Sequence, residues 1–229
     1  MSKKILLILT IIILLICISL YIFFNNTYSL KRTQNLIEKN NNINNYCITE
    51  NFYKNGNQIG YTKFYRKDGN IYVDQNDDIQ GKAETFYDID TNKKIIILHN
   101  NKSITNVNDN NNNLENPIIT EFKESADNGI YKYYGKEKLD FSKCIKVGFS
   151  IDNQIKYYYI DLKTNNIVKT EIYENSDEKL VTIYNYEYNS VENNEILKFN
   201  IDNYPDYTYN NWQIKNFNDW SAPQMLEKI

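Results

Sequence analysis

The chain has 229 residues and a formal net charge of −3, with 26 basic and 29 acidic residues. The basic residues are spread along the sequence, which excludes the clustered positive patch of a nucleic-acid-binding protein. There is one histidine among the 229 residues, with no Gly-x-Ser-x-Gly motif and no glycine-rich phosphate loop. We therefore expect no enzyme and no cofactor.

The N-terminus predicts a membrane segment. Ile5–Phe24 is an almost unbroken apolar run that follows the basic start of the chain. About twenty helical residues span roughly 30 Å, the thickness of the hydrocarbon core of a bilayer. A cleaved signal peptide is the alternative, but its apolar region is usually only about 7–15 residues long and ends at small residues. We therefore interpret Ile5–Phe24 as an uncleaved signal anchor.

Cys17 lies inside this run and raises the alternative of a lipid-modified cysteine. Leu15 and Ile16 precede it, whereas lipidation requires small residues there, so we assign Cys17 to the membrane helix. We expect one membrane pass with the C-terminal domain outside the cytoplasm, because long domains translocate largely regardless of charge.

The predicted elements begin with a helix that Ser29 caps and that ends near Asn45. Six strands then follow as a meander, with Asn55-Gly56 and Asp68-Gly69 as hairpin signals between the first three. These strands are Tyr46–Lys54, Gln58–Lys67, Ile71–Asp74, Ala83–Asp90, Lys93–His99 and Ser103–Val107.

A second helix is predicted from Pro117, capped by Asn116, to about Gly129. Strands resume after it at Ile130–Tyr134, Cys144–Ile151 and within Ile155–Tyr207. The last strand is placed on the alternation of Leu197, Phe199 and Ile201 with polar residues.

About ten strands with two segregated helices indicate an α+β fold: one large antiparallel sheet with helices packed on one face. The sequence thus divides into three parts. Residues 1–28 form the cytoplasmic tail and anchor, residues 29–210 the sheet domain, and residues 211–229 a C-terminal tail that contains Trp212, Phe217 and Trp220.

The order of these elements resembles the LolA-like superfamily of lipoprotein carriers, lipoprotein-sorting proteins and periplasmic sigma-factor regulators. Several short residue patterns between Gly135 and Pro205 carry the resemblance. They comprise Gly135, Glu137, Ile145 and Val147, then Tyr159-Ile160-Asp161 with Thr164-Asn165, and finally Glu195-Ile196-Leu197, Phe199 and Pro205.

The resemblance implies a curved sheet, an incomplete barrel, whose concave apolar face is covered by helices and holds acyl chains. Tyr184, Tyr186 and Tyr188 would make this face richer in tyrosine than in a carrier. Candidate lining residues are Phe86, Ile96, Leu98, Val147, Tyr157, Tyr159, Val168 and Ile172.

Three further patterns bear on chemistry. Cys47 and Cys144 lie outside the membrane run and can either pair as a disulfide or be two small buried hydrophobes. A Cys47–His99 dyad lacks a third orienting residue, so a histidine at a strand end is the better interpretation. Asp74–Asp78 resembles the start of a calcium loop, but the glycine and glutamate of such a loop are missing, and we predict no metal site.

The sequence therefore predicts a membrane-anchored, extracytoplasmic binding module of the bacterial cell envelope. Its ligand would be a lipid, an acylated protein or an apolar peptide. The alternative is an envelope sensor that acts through protein contacts, at the sheet edge or the aromatic tail, without a lipid ligand.

Overall fold

The computed structural model describes residues 11–19, 27–78, 81–88, 93–108, 116–140, 142–192 and 199–211. Twelve strands form one sheet, and two α-helices that follow the N-terminal segment accompany it, α1 (Leu30–Ile37) and α2 (Pro117–Asn128). The strands are β1 (Asn45–Lys54), β2 (Asn57–Lys67), β3 (Asn70–Asp77), β4 (Gly81–Asp88), β5 (Lys93–Leu98), β6 (Ser103–Asn108), β7 (Ile130–Leu139), β8 (Ser142–Ile151), β9 (Gln154–Asp161), β10 (Ile167–Glu174), β11 (Asp177–Tyr188) and β12 (Thr208–Asn211).

Much of the predicted membrane segment Ile5–Phe24 lies outside the described residues. Residues 11–19 of it are helical, with exposed apolar side chains. Across the described ranges, no helix is both long enough and apolar enough to span a membrane. The predicted aromatic tail, with Trp212, Phe217 and Trp220, also lies outside the described residues.

Both predicted helix starts are confirmed. The Ser29 hydroxyl accepts a hydrogen bond from the Arg32 amide at 3.3 Å, and the Asn116 side chain accepts one from the Ile118 amide at 3.0 Å. These contacts satisfy amides that have no partner inside the first turn. Helix α1 is shorter than predicted. It ends at Ile37, and a 3₁₀ turn continues it only to Asn40.

The predicted hairpin turns are confirmed as well. Asn55 and Gly56 have φ angles of 51° and 78°, and Asp68 and Gly69 have 50° and 86°. Two successive residues with positive φ match the right-handed twist of the strands that they join. Each turn therefore fixes the register of its hairpin.

The sheet consists of two meanders that meet in its middle. Its order is β12-β6-β5-β4-β3-β2-β1-β11-β10-β9-β8-β7. All neighbours are antiparallel except β12, which runs parallel to β6. In the described part of the chain the sheet does not close, since β7 and β12 stand at its two ends. Register shifts within β1–β2, β7–β8, β9–β10 and β10–β11 mark bulges, which bend strands.

Each face of the sheet carries one apolar core. On the helix-bearing face, buried residues of α1 and α2 pack against strands of the second meander and against β1. On the opposite face, Tyr72, Phe86, Ile97 and Ile104 form a smaller cluster beneath the segment that contains Phe199, Tyr204 and Tyr207. The prediction that both helices share one face is therefore confirmed.

The predicted closing strand is wrong where the structure describes it. Residues 193–198 lie outside the described residues, and Ile201–Asn203 is a 3₁₀ turn. Asn200 caps this turn by accepting a hydrogen bond from the Asp202 amide at 3.0 Å. Ile201 is exposed, while Phe199 packs on Phe86 with ring centroids 6.0 Å apart.

Candidate functional site on the helix-bearing face

The strand registers decide which side chains share the helix-bearing face. Directly paired residues of neighbouring antiparallel strands point to the same side. Tyr158, which contacts α2, pairs with Thr170, Thr170 with Thr182, and Thr182 with Phe52 of β1. The helix-bearing face is thereby traced from one meander into the other.

An apolar row crosses the first meander on this face. Ile48 of β1 pairs with Phe64, Phe64 with Val73, Val73 with Thr85, and Thr85 with Ile96, so that Thr85 is the one polar member of the row. Ile48 is fully buried in the core beneath the helices, whereas the other four keep part of their surface accessible. The row therefore extends from the closed core to a more open part of the same face.

Strand β5 is apolar on both sides. Ile95 and Ile97 face the cluster beneath Phe199 and Tyr204, while Ile96 and Leu98 face the helix side. A strand with apolar residues on both sides is typical of sheets that are covered on both faces. On the helix side, Ile96 and Leu98 remain only partly buried.

The eight candidate lining residues do not share one face. Four lie on the helix-bearing face, namely Ile96, Leu98, Val147 and Ile172. Three lie on the opposite face, namely Phe86, Tyr157 and Tyr159. Val168 is the extra residue of the bulge between Ile167 and Lys169. The structure thus brings four of the predicted residues to the face that continues the helix-covered core.

The three tyrosines of β11 do lie on the helix-bearing face, as predicted. Their hydroxyls all have partners, either in β10 or in the turn that precedes it. The Tyr186 hydroxyl donates to the Ile167 carbonyl at 2.8 Å, and that of Tyr188 to the Asn166 side chain at 2.6 Å. The Tyr184 hydroxyl lies 3.1 Å from that of Thr170. The tyrosines thus present rings, rather than unsatisfied hydroxyls, to the face.

A polar cluster is buried beneath α2. The Lys156 ammonium forms an ion pair with the Glu121 carboxylate, and the Tyr158 hydroxyl lies 2.7 Å from that of Ser125. Burial lowers the pKa of Lys156, but the neighbouring Glu121 carboxylate outweighs it, so that the pKa lies above its usual range. Lysine and glutamate in a buried setting remain charged only when they are paired.

Glu50 is the residue on this face that sequence reasoning missed. It shares the side of β1 with Tyr46, Ile48 and Phe52, and it pairs across the sheet with Tyr184 and Thr62. Burial, with a further contribution from the Glu121 carboxylate, raises the pKa of Glu50 to about 8, although Lys156 opposes the shift. A single carboxyl that interrupts an apolar stripe was the signal in the sequence that could have found it.

The two cysteines do not form a disulfide. Cys47 on β1 and Cys144 on β8 are four strand steps apart, which is about 19 Å at the usual strand spacing. A bridge requires Cα atoms within about 7 Å. Burial also raises the pKa of the Cys144 thiol to about 11, so that it stays protonated. Of the two alternatives, the structure therefore agrees with two small buried hydrophobes, because both cysteines are unbridged and buried.

His99 is not part of a dyad with Cys47, because β1 and β5 are also four strand steps apart. Its Nε2 atom lies 2.9 Å from the Glu84 carboxylate, and its Nδ1 atom lies 2.8 Å from the Tyr207 hydroxyl. Tyr72 and Tyr204 also donate hydrogen bonds to Glu84, at 2.8 and 2.9 Å. This buried network fastens the segment around Tyr204 to the sheet. In the described residues no group of three or more acidic, histidine or cysteine side chains could hold a metal ion.

The hydrogen bonds to Glu84 predict that the attachment of the segment around Tyr204 to the sheet is sensitive to acid. Burial raises the pKa of Glu84, but hydrogen bonds from Tyr72, Tyr204 and His99 outweigh it, so the pKa lies below its usual range. A carboxylate whose pKa is lower in the folded protein than in the unfolded chain stabilises the fold at pH values above the unfolded pKa, which is about 4.3 for glutamate. This stabilisation is lost as the pH falls through the pKa of the folded protein.

We expect Glu84→Gln to lower the free energy of unfolding by about 2 kcal/mol at pH 7, because buried donors lose their charged acceptor. The difference from the wild type should shrink as the pH falls through the folded pKa, because a protonated Glu84 no longer offers a charged acceptor. Urea unfolding at pH 7, 5 and 3 measures this. Glu187→Gln, at an exposed position of β11, is the matched control. A loss that is equal at all three pH values would contradict the role given to the carboxylate.

The sequence matches no family model, and it matches no curated protein. Solved structures do resemble the chain. MucB has a TM-score of 0.47 at 9% identity, over 74% of this chain and 62% of that chain. The lipoprotein LppX of Mycobacterium tuberculosis has a TM-score of 0.39 at 9% identity, covering 71% of this chain and 94% of that one.

A lipoprotein-sorting protein domain from Vibrio parahaemolyticus has a TM-score of 0.31 at 10% identity, covering 72% of this chain and 94% of that one. The likeness is one of fold. A lipoprotein-sorting domain, the kind of protein that the predicted LolA-like resemblance names, is thus among the solved structures that resemble the chain. The chain covers less than two thirds of the length of MucB.

Proposed function

We propose that this chain is a non-catalytic binding module that holds an apolar ligand against its helix-bearing face. The ligand would be a lipid, an acylated protein or an apolar peptide. The observation that carries the proposal is the row of partly accessible apolar residues that leads out of the helix-covered core. Phe64, Val73 and Ile96 lie in register along it, without a charged residue between them.

Covering the side chains of the apolar row with a ligand is favourable in free energy, because it removes their apolar surface from water. Each Å² of apolar surface removed from water contributes about 25 cal/mol. Ile96 and Leu98 belong to a strand whose other side is already buried, so a ligand would complete its coverage. The apolar character of the row favours a chain-like hydrophobic ligand rather than a polar metabolite.

We further propose that the module acts at the bacterial cell envelope, where Ile5–Phe24 anchors it and the sheet domain lies outside the cytoplasm. The apolar run is about as long as a bilayer's hydrocarbon core is thick. An anchored binder would present its ligand close to the membrane surface instead of carrying it between membranes.

Two isoleucine-to-lysine substitutions, one on the helix-bearing face of the sheet and one on the opposite face, test the proposed function. Native mass spectrometry of the full chain purified from bacterial membranes should detect bound lipid, acyl or peptide adducts. Ile96→Lys on the helix-bearing face should reduce adduct occupancy at least about tenfold, since a lysine at the apolar row must be desolvated when the ligand binds.

Ile183→Lys is the control, because Ile183 is an exposed isoleucine that points to the opposite face of β11. It should leave occupancy unchanged. Absence of any apolar adduct from the wild-type chain, together with partner proteins that co-purify equally with both variants, would favour the envelope sensor instead. Equal adduct occupancy in both variants would place the ligand away from the apolar row.

A further inference from the structure

Glu50 occupies a distinctive position on the proposed ligand face. It lies on β1, where the helix-covered half of the face meets the more open half. Its direct neighbours across the sheet are Tyr184 on one side and Thr62 on the other. Glu50 is half-buried, so that its surroundings are mostly protein while some of its surface stays within reach of a ligand atom.

Two polar groups near Glu50, Lys156 and Tyr184, already have partners. Lys156 is paired with Glu121, and Tyr184 is hydrogen-bonded to Thr170. No hydrogen bond or ion pair joins Glu50 to another of the described residues. Because Lys156 is committed to Glu121, the Glu50 carboxyl lacks the compensation that a largely desolvated carboxylate needs.

Glu50 also lies at one end of a second row on the same face. It pairs with Thr62, Thr62 with Gln75, Gln75 with Ala83, and Ala83 with Leu98. This row lies beside the apolar row that contains Phe64 and Ile96. A ligand chain along the apolar row would therefore bring its terminal polar group near the Glu50 carboxyl.

We infer that Glu50 is the specificity-determining residue of this face and selects amphiphiles whose polar end is a protonated amine. The inference rests on the proposed function, since it concerns the polar end of the ligand that the apolar row holds. An ammonium N–H would donate to the Glu50 carboxylate and supply the missing countercharge. A ligand carboxylate would instead lie beside both Glu50 and Glu121.

Binding of the amine is coupled to a proton. Burial raises the pKa of Glu50 to about 8, so at neutral pH the carboxyl is mostly protonated and must release a proton to water when the ammonium binds. Amine affinity should therefore increase as the pH rises through about 8, and then level off while the amine itself stays protonated.

Other charged or titratable groups face Glu50 from the surrounding elements. These are Glu121 of α2, Lys156 of β9, and Tyr184 and Tyr186 of β11. On β2, Arg66 lies two pairs further along, opposite Tyr46. Burial raises the pKa values of both tyrosines well above their usual range, and the pKa of Lys156 is also raised. These three groups keep their charge states between pH 6.5 and about 9.

The test uses the full chain and three dodecyl compounds of different polar end: dodecylamine, dodecanol and dodecanoic acid. Each displaces the neutral fluorescent probe N-phenyl-1-naphthylamine, and the displacement is followed at concentrations below micelle formation. We expect the wild type to bind dodecylamine about tenfold more tightly than dodecanol at pH 8.5, the size typical of a charged hydrogen bond. Dodecanoic acid should bind more weakly than dodecanol.

Glu50→Gln keeps the shape of the side chain and removes its charge. It should bring the dodecylamine and dodecanol affinities within about twofold of each other and abolish the rise with pH, while dodecanol affinity is retained. Glu124→Gln makes the same change at an exposed position of α2 and should behave as the wild type.

The outcomes separate the inference from the proposed function. Equal binding of all three compounds by the wild type, or an amine preference that survives in Glu50→Gln, would overturn the role of Glu50 alone. Failure of the wild type to bind any dodecyl compound would overturn the apolar-ligand function and the inference together. Retained dodecanol binding in Glu50→Gln shows that the variant is folded.

Discussion

Phe122→Ala should lower the free energy of unfolding by about 4 kcal/mol, the largest effect that we expect from one substitution. Phe122 is fully buried in the helix-side core. Its ring meets those of Phe149 and Tyr158 edge-on, with centroids 5.2 and 5.0 Å apart. Truncation removes these contacts and leaves a cavity that the rigid sheet beneath α2 cannot fill.

Equilibrium urea unfolding followed by circular dichroism measures this loss. Lys123→Ala at the adjacent helix position is the control, and it should cost less than about 1 kcal/mol, because both partners of its ion pair with Glu38, at 3.6 Å, are partly exposed to water. A loss below about 1 kcal/mol for Phe122→Ala would mean that docking of α2 contributes little to the stability of the sheet.

Glu121→Ala should destabilise the fold by about 3 kcal/mol, because it leaves the Lys156 ammonium buried without its partner. The Lys156 side chain is only 11% exposed, whereas that of Glu121 is 29% exposed. Removing the lysine's partner is therefore the more costly of the two single changes. Glu124→Ala, at an exposed position of the same helix, is the control and should be nearly neutral.

The double variant Glu121→Met with Lys156→Met separates charge from packing. Since both charges are removed together, it should recover most of the stability lost in Glu121→Ala. Chemical denaturation of the three variants and the wild type at pH 7 gives the comparison. If the double variant were as unstable as Glu121→Ala, the loss would come from packing around α2 instead of an uncompensated charge.

The parts of the fold that local chemistry determines could be predicted from the sequence. Asn55-Gly56 and Asp68-Gly69 adopt the positive φ angles that their hairpins require. The Ser29 and Asn116 caps fix the two helix starts. Such features depend on residues that are close in sequence, so that their pattern is visible without the tertiary structure.

The assignment of residues to faces could not be predicted, because it depends on pairing between distant strands. Bulges such as the one at Val168 shift the alternation by one residue, and each shift exchanges the two faces. Phe86 and Ile96 both belong to apolar strands, yet they point to opposite sides. The alternation at Phe199 and Ile201 was misleading for another reason, since the Asn200 cap stabilises a tight turn there.

Glu50 was overlooked because most of its surroundings come from β9, β11 and α2, which are far from it in sequence. Only the folded sheet shows that Lys156 is ion-paired with Glu121 and that Glu50 is left without a countercharge of its own. Buried charge is a tertiary property, so that composition and periodicity give no direct measure of it.

The pairing of β1 with β11 has a consequence for how the chain folds. Tyr46 lies opposite Tyr188, so the middle of the sheet is closed by segments at nearly opposite ends of the domain. The meander from β1 to β6 can form from neighbouring hairpins as soon as it is synthesised, but the free edge of β1 stays unprotected until β11 arrives. Because such long-range contacts slow folding and leave an edge open to other chains, we expect the half-made domain to depend on a chaperone until β11 has been synthesised.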